Sequence, residues 1–408
     1  MLVGEEWWRP LPPGLPRDIS RLLAARALRA FADGMMAVLL PLHLHARGFS
    51  PLAIGALLTA TLVGSALATL AVGWLSRHGT RRGWLALGCA LMAATGIGFA
   101  VAQDYSLLLA VAFLGTLNPS SGDVSLFLPL EHTALAQAAP PARRTAVFAR
   151  YSLAGTLAGA LGTLAAPVPH ALGGDGAMLW VFLFYALVAL AAWGLYRGLT
   201  PAIETPPAEA GSPPAALGPS RRIVYGLSAL FALDSLGSGF FVQSLLALWL
   251  FDTFDLSLAA TAAILFWSGL CSALSYLAAV PLAARIGLVN TMVFTHLPAS
   301  LMVMALPFAP SLEVAVAMLL ARAALSNMDV PTRNSYVMAV VTPAERPAAA
   351  SMTATAKSMA TAIGPLLAGW LMTVSSFAWP LLIGGAMKAA YDLLLLWRFQ
   401  RVKPPEEQ

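Results

Sequence analysis

The sequence predicts an all-α membrane protein, with twelve transmembrane helices in two pseudo-symmetric halves of six. Three observations carry that expectation. The 408-residue chain is 59% hydrophobic and only 11% charged, whereas a soluble chain carries about 25% charged residues. Apolar runs of about 20 residues, enough to cross a hydrocarbon core ~30 Å thick, recur along the whole length; they lack the ten-residue alternation of a membrane-barrel strand. Basic residues gather on alternate connections, as the positive-inside rule requires.

In chain order, residues 1–19 hold Glu5, Trp7, Trp8, Arg9 and several prolines. They are too polar for a signal peptide and read as a cytoplasmic tail. Six spans follow within 20–199: 20–45, 52–76, 83–102, 106–137, 145–168 and 177–198. Residues 200–221 are rich in proline and lack aromatics, the composition of a flexible cytoplasmic linker. The second half, 222–399, holds spans 222–250, 258–284, 288–309, 312–341, 348–374 and 380–399, and residues 400–408 form a second tail. The connections assigned to the cytoplasm, with the tails, carry sixteen basic residues, among them Arg77, Arg81, Arg82, Arg143, Arg144, Arg285 and Arg346. The opposite set carries only Arg47. Both termini are therefore expected in the cytoplasm. The Arg- and Ala-rich composition points to a bacterial inner (plasma) membrane. The net charge of +5 reports this topology rather than nucleic-acid binding. Cys89 and Cys271 lie in different apolar runs, so no disulfide framework is expected.

The halves echo each other. Asp33 follows RALRAFA in span one, and Asp234 follows SALFAL in span seven. Asn118 leads to Asp123-Val124 in span four, and Asn327 to Asp329-Val330 in span ten. The loops PARRTA (141–146) and PAERPA (343–348) match, as do Ala149-Arg150 and Ala356-Lys357. Matched charges are stronger evidence of a repeat than matched apolar residues.

After span two, Gly73-Trp-Leu-Ser-Arg77-His-Gly79-Thr-Arg81-Arg82 resembles the G-x-L-a-D-r-x-G-r-r motif of the major facilitator superfamily, and Pro281-Leu-Ala-Ala284-Arg285-Ile-Gly287 is its repeat copy. Both copies lack the family's aspartate, which in the family helps latch the cytoplasmic ends together. With the six-plus-six pattern and the central linker, the resemblance covers essentially the whole chain. Arg322 and Gly364-Pro365 loosely resemble features of drug–proton antiporters. The resemblance implies alternating access about a midplane site, with spans one, four, seven and ten lining the cavity. It makes Gly73, Arg77, Gly79, Arg81, Arg82, Arg285 and Gly287 a cytoplasmic gating loop.

Each cavity span carries an aspartate well inside it: Asp33, Asp123, Asp234 and Asp329. Cations lie at similar depth: Arg26, Arg29, Arg150, Arg322, Arg333 and Lys357. A charge at the bilayer centre costs roughly 2.5–3.5 kcal/mol or more, so such groups face partners or a watery cavity. Span ten reads as one helix, and steps of seven and four residues put Arg322, Asp329 and Arg333 on one face of it. Two roles compete: proton and substrate binding, or fixed ion pairs, with Asp329–Arg333 and Asp123–Arg150 as the pairs expected. Asp33 and Asp234 are favoured for function, since span seven offers Asp234 no neighbouring cation. His43 and His45 read as interfacial, Gly155, Gly159 and Gly162 as close-packing positions, and Pro119, Pro129 and Pro331 as bends.

The leading functional expectation is a secondary active transporter for proton-coupled efflux of a small organic compound, working as a monomer. The alternatives are a metal or other cation carrier on the four aspartates, an organic-anion carrier using Arg26, Arg322 and Lys357, and a non-transporting receptor or lipid-moving protein. Phosphate-loop, HExxH and GxSxG motifs are absent, so neither enzyme chemistry nor a cofactor or resident metal is expected.

Overall fold

Helix follows helix in the order the hydropathy pattern predicts, often from a cap the sequence supplies. The computed structural model describes residues 16–75, 79–118, 125–139, 144–173, 176–204, 217–342, 345–375 and 378–400. Spans one to three are α1 (Arg17–Ala46), α2 (Pro51–Leu75) and α3 (Arg81–Val101). The Thr80 hydroxyl accepts from the Gly83 amide at 3.1 Å to cap α3. The Asp104 carboxylate does the same for Leu107 at 2.9 Å, starting α4 (Tyr105–Leu114). Each cap satisfies an amide that the first helical turn leaves without a partner.

Span four does not continue as one helix. It resumes as α5 (Phe127–Ala138), with Pro129 as that helix's third residue. Spans five and six are α6 (Arg144–Ala165), the short α7 (Pro167–Gly173) and α8 (Ala177–Arg197). Span seven is likewise two helices, α9 (Arg221–Gly239) and α10 (Gln243–Phe254). Spans eight and nine are α11 (Leu258–Ile286) and α12 (Leu288–Ala305). Gly287 turns the chain between them at φ 87° and ψ 165°, a region open essentially to glycine alone. Span ten divides into α13 (Leu312–Ser326) and α14 (Asp329–Val340), and spans eleven and twelve are α15 (Arg346–Val374) and α16 (Ala378–Phe399).

The break in span ten corrects the expectation of one continuous helix carrying three charges on a single face. Pro331 is the third residue of α14. Its ring removes an amide and would clash with the carbonyl four residues earlier, so the helix restarts where first-turn amides are unpaired anyway. Pro129 holds the same place in α5; Pro119 lies outside the described residues.

Among the described residues nine helical stretches are long and apolar enough to cross a membrane. The other three predicted spans correspond to α1, the pair α4–α5, and α15. Large apolar side chains such as Leu114, Leu172, Trp180 and Trp397 lie exposed on the surface, as lipid solvation permits and water discourages.

The chain forms two compact units. The first comprises residues 1–37 and 64–212; its core gathers Leu22, Leu85, Phe127, Val147, Tyr151 and Tyr196. There Gly34 and Gly162 bring α1 and α6 together. A Cβ on Gly34 would stand 2.0 Å from the Gly159 carbonyl oxygen, and one on Gly162 1.9 Å from that of Phe31. The second unit comprises residues 38–63 and 213–408, with a core of Leu227, Phe231, Met292, Tyr336, Tyr391 and Leu395.

Candidate functional site

In the first unit, α1 presents Arg29 and Asp33 one helical turn apart, and both are buried. Arg29 is ion-paired to Glu131 of α5, whose carboxylate also accepts from the Tyr151 hydroxyl at 2.5 Å and the Tyr196 hydroxyl at 2.7 Å. Nε of Arg29 donates to the Tyr196 oxygen at 3.1 Å, and its guanidinium lies 3.9 Å from the Phe127 ring centre. Both charges are thus paired and hydrogen-bonded, which a buried ion pair needs to be tolerated. Asp33 is different. It accepts a 2.9 Å hydrogen bond from Tyr185 of α8, and among the described residues no cation lies within ion-pair distance of it. Arg26, two turns before Asp33, lies over the Tyr151 ring at 5.4 Å, and among the described residues its Nε has no hydrogen-bond partner.

The second unit assembles a larger cluster around Asp234 of α9. Lys388 Nζ of α16 donates to Asp234 Oδ1 and to Ser238 Oγ, each at 2.7 Å. A guanidinium nitrogen of Arg333, from α14, lies 3.2 Å from Asp234 Oδ2 and is also paired with Asp329. His296 of α12 places Nε2 3.4 Å from Asp234 Oδ1 and Nδ1 2.9 Å from both carboxylate oxygens of Asp392. The Arg333 guanidinium packs over Phe231 at 5.1 Å and Tyr391 at 5.7 Å. Three acids, two cations and one imidazole from α9, α12, α14 and α16 thus form a continuous buried network. Coupling of this kind makes the charge of each member depend on the others.

Not every predicted residue joins these clusters. Asp329 and Arg333 form the expected pair. Arg322, on α13 beyond the break, makes no hydrogen bond or ion pair with it and lies instead over Phe241 at 5.3 Å. Arg150 and Lys357 are half-buried in α6 and α15. Asp123 lies outside the described residues, and with it the expected Asp123–Arg150 pair; Arg77 of the gating loop does too. Gly73 falls in α2, and Gly79 and Arg285 are exposed. Arg81 and Arg82 hold the segment after α8. Glu204 accepts from the Arg81 amide at 2.6 Å and the Arg82 amide at 3.2 Å, and Arg82 donates to the Leu199 carbonyl at 3.1 Å.

Span seven offers Asp234 no cation, which leaves a proton, a substrate or a distant partner open; the structure supplies distant partners, Lys388 of span twelve and Arg333 of span ten. Lys388, His296 and Asp392 escape a reading confined to span seven because they belong to spans twelve and nine. Their signals stood in the sequence: a Lys and an Asp at i, i+4 in span twelve, and a His inside span nine. Asp234, His296 and Asp329 offer ligand atoms within 4.8 Å of one another. Lys388 and Arg333 engage those same carboxylates, so the charge a metal would supply is already provided by the chain.

Comparison with known proteins matches this architecture. A family model described as Major Facilitator Superfamily matches residues 22–242 and again 227–408. A Saccharomyces cerevisiae protein described as an uncharacterized membrane protein is 25% identical, over 94% of each chain. Among solved structures, the nucleoside transporter NupG superposes with a TM-score of 0.71 at 15% identity, covering 94% of this chain and 100% of its own. The D-xylose–proton symporter gives 0.72 at 17%, covering 93% and 97%. The human organic anion transporter MFSD10 gives 0.64 at 20%, covering 94% and 100%.

Proposed function

The chain belongs to the major facilitator superfamily, and we propose that it is a proton-coupled secondary transporter that exports a small organic compound by alternating access. The observation that carries the coupling is Asp33. Its carboxyl is buried in α1, held by the Tyr185 hydroxyl, and has no contacting cation among the described residues. A carboxylate in that setting is costly to keep charged, and a proton is the partner that neutralises it. As the site exchanges access between the two sides of the membrane, the proton enters from one and leaves to the other. Glu131, by contrast, is neutralised by Arg29 and serves to hold α1, α5, α6 and α8 together. Outward direction rests on the antiporter resemblance. Cytoplasmic termini in a bacterial inner membrane rest on the distribution of basic residues, and the protein is proposed to act as a monomer.

The test is proton movement in proteoliposomes loaded with a pH-sensitive dye and challenged with cationic, neutral and anionic compounds. Wild type is compared with Asp33→Asn and Asp234→Asn. Proton flux evoked by one class of compound, and abolished in Asp33→Asn, is the expected result. Compound uptake without proton movement, or flux unchanged in Asp33→Asn, overturns the assignment.

A further inference from the structure

Among the described residues, no acid of the second unit pairs with Arg322. Asp234 is matched by Lys388 and Arg333, Asp329 by Arg333, and Asp392 faces His296. Arg322 stands near enough to Lys388 and His296 to act on both electrostatically, yet no acid or hydrogen-bond acceptor engages it among the described residues. Among the described residues its specific contact is the Phe241 ring, 5.3 Å away, and the Lys388 ammonium stands 6.0 Å from the centre of the same ring. Phe241 sits in the break between α9 and α10; it is mostly buried and lines a small, nearly filled apolar hollow with Phe240, Leu246, Trp249, Met372 and Leu381.

A guanidinium inside a membrane protein is expensive unless an anion or a watery cavity meets it, and Arg322 is half-buried, open to a partner that arrives from such a cavity. Its planar fork is suited to a carboxylate, sulfonate or phosphate, and an aromatic wall suits an apolar body attached to such a group. We propose that Arg322 is the anchor for an anionic group of the transported compound, so that the substrate is an organic anion whose apolar part lies against Phe241. This rests on the transporter reading and names its substrate class. Lys388 stands near the same ring, and an arriving anion competes with Asp234 for it. Substrate binding thereby reaches the Asp234–His296–Asp392 network.

The test uses the purified full chain and three probes of one shape: 1-naphthoate, 1-naphthamide and 1-naphthylmethylamine. Thermal unfolding in detergent reads binding, and uptake into proteoliposomes reads transport. Wild type is expected to be stabilised by, and to take up, naphthoate but not the amide or the amine. Arg322→Met is expected to weaken naphthoate binding about 10- to 100-fold, the loss of a charged hydrogen-bond anchor. The empty variant should unfold at a higher temperature than empty wild type, because an uncompensated charge has gone; this separates lost binding from lost folding. Arg322→Lys is expected to keep part of the binding. A wild type that binds the amide or amine as well as the carboxylate, that ignores the carboxylate, or that keeps full affinity in Arg322→Met overturns the inference. If protons still move with a neutral or cationic compound, the transporter reading survives that result. If nothing moves, both fall.

Discussion

Nζ of Lys388 lies 2.7 Å from Oδ1 of Asp234, joining span twelve to span seven across 154 positions of sequence. The same ammonium donates to Ser238, one turn further along α9. Lys388→Met is expected to destabilise the protein, toward the lower end of the roughly 3–5 kcal/mol seen when one partner of a buried pair is removed, because Arg333 still faces Asp234. The double variant Lys388→Met/Asp234→Asn should recover much of the loss. Thermal unfolding of the four members of the cycle in one detergent measures the coupling, and strictly additive effects would show that the contact carries none.

Glu131 and Asp33 are predicted to separate structure from function. Glu131→Gln leaves the buried Arg29 without its counter-charge and should cost roughly 3–5 kcal/mol. Asp33→Asn keeps the Tyr185 hydrogen bond and abandons no contacting cation, so its stability should stay close to wild type while proton flux is lost. Unfolding curves and dye-loaded liposomes on both variants check this; equal stability loss in the two would contradict it.

Gly239 of α9 and Gly364 of α15 are expected to reject even alanine. A Cβ on Gly364 would stand 2.4 Å from the Gly239 backbone, and one on Gly239 2.6 Å from the Thr361 carbonyl oxygen. Backbone cannot yield as a flexible side chain does, so each substitution should cost roughly 1–3 kcal/mol or more. Monodisperse yield and midpoint temperature are the readouts. Gly364 belongs to the glycine–proline pair that resembles antiporters, and close helix packing is its visible role.

A pH dependence follows from Glu345, at the start of α15. Hydrogen bonds from the Ser220 and Thr342 hydroxyls, with the Gly218 and Ser220 amides, hold its carboxyl down at about 2, against an ordinary 4.5. The folded value lies below the unfolded one. Its stabilising contribution is therefore complete above about 4.5 and lost as pH falls toward 2. Replacing Glu345 with Gln should flatten stability over that acid window and leave its shape at neutral pH unchanged. Unfolding midpoints across the window decide it; an unaltered slope would remove Glu345 as the cause.

The fold was legible because a bilayer imposes one length and one polarity on every crossing segment. Apolar runs of about 20 residues and the bias of arginine to alternate loops therefore locate the helices without a structure. Pro129 and Pro331 marked bends, since proline removes an amide wherever it stands, but not the full restart of the helix that the structure shows there. The Asp329–Arg333 pair was legible as well, being one turn long.

What the sequence determined by itself was thus the local and the periodic: which segments span, where they bend, and which neighbours four residues apart meet. The tertiary structure alone decided that Lys388 and His296 converge on Asp234, that Asp33 meets a tyrosine rather than a cation, and that Arg322 is separated from the charges seven and eleven residues on. Those outcomes depend on which faces of different helices pack together, and helical periodicity places a side chain on its own face without naming the side chain opposite.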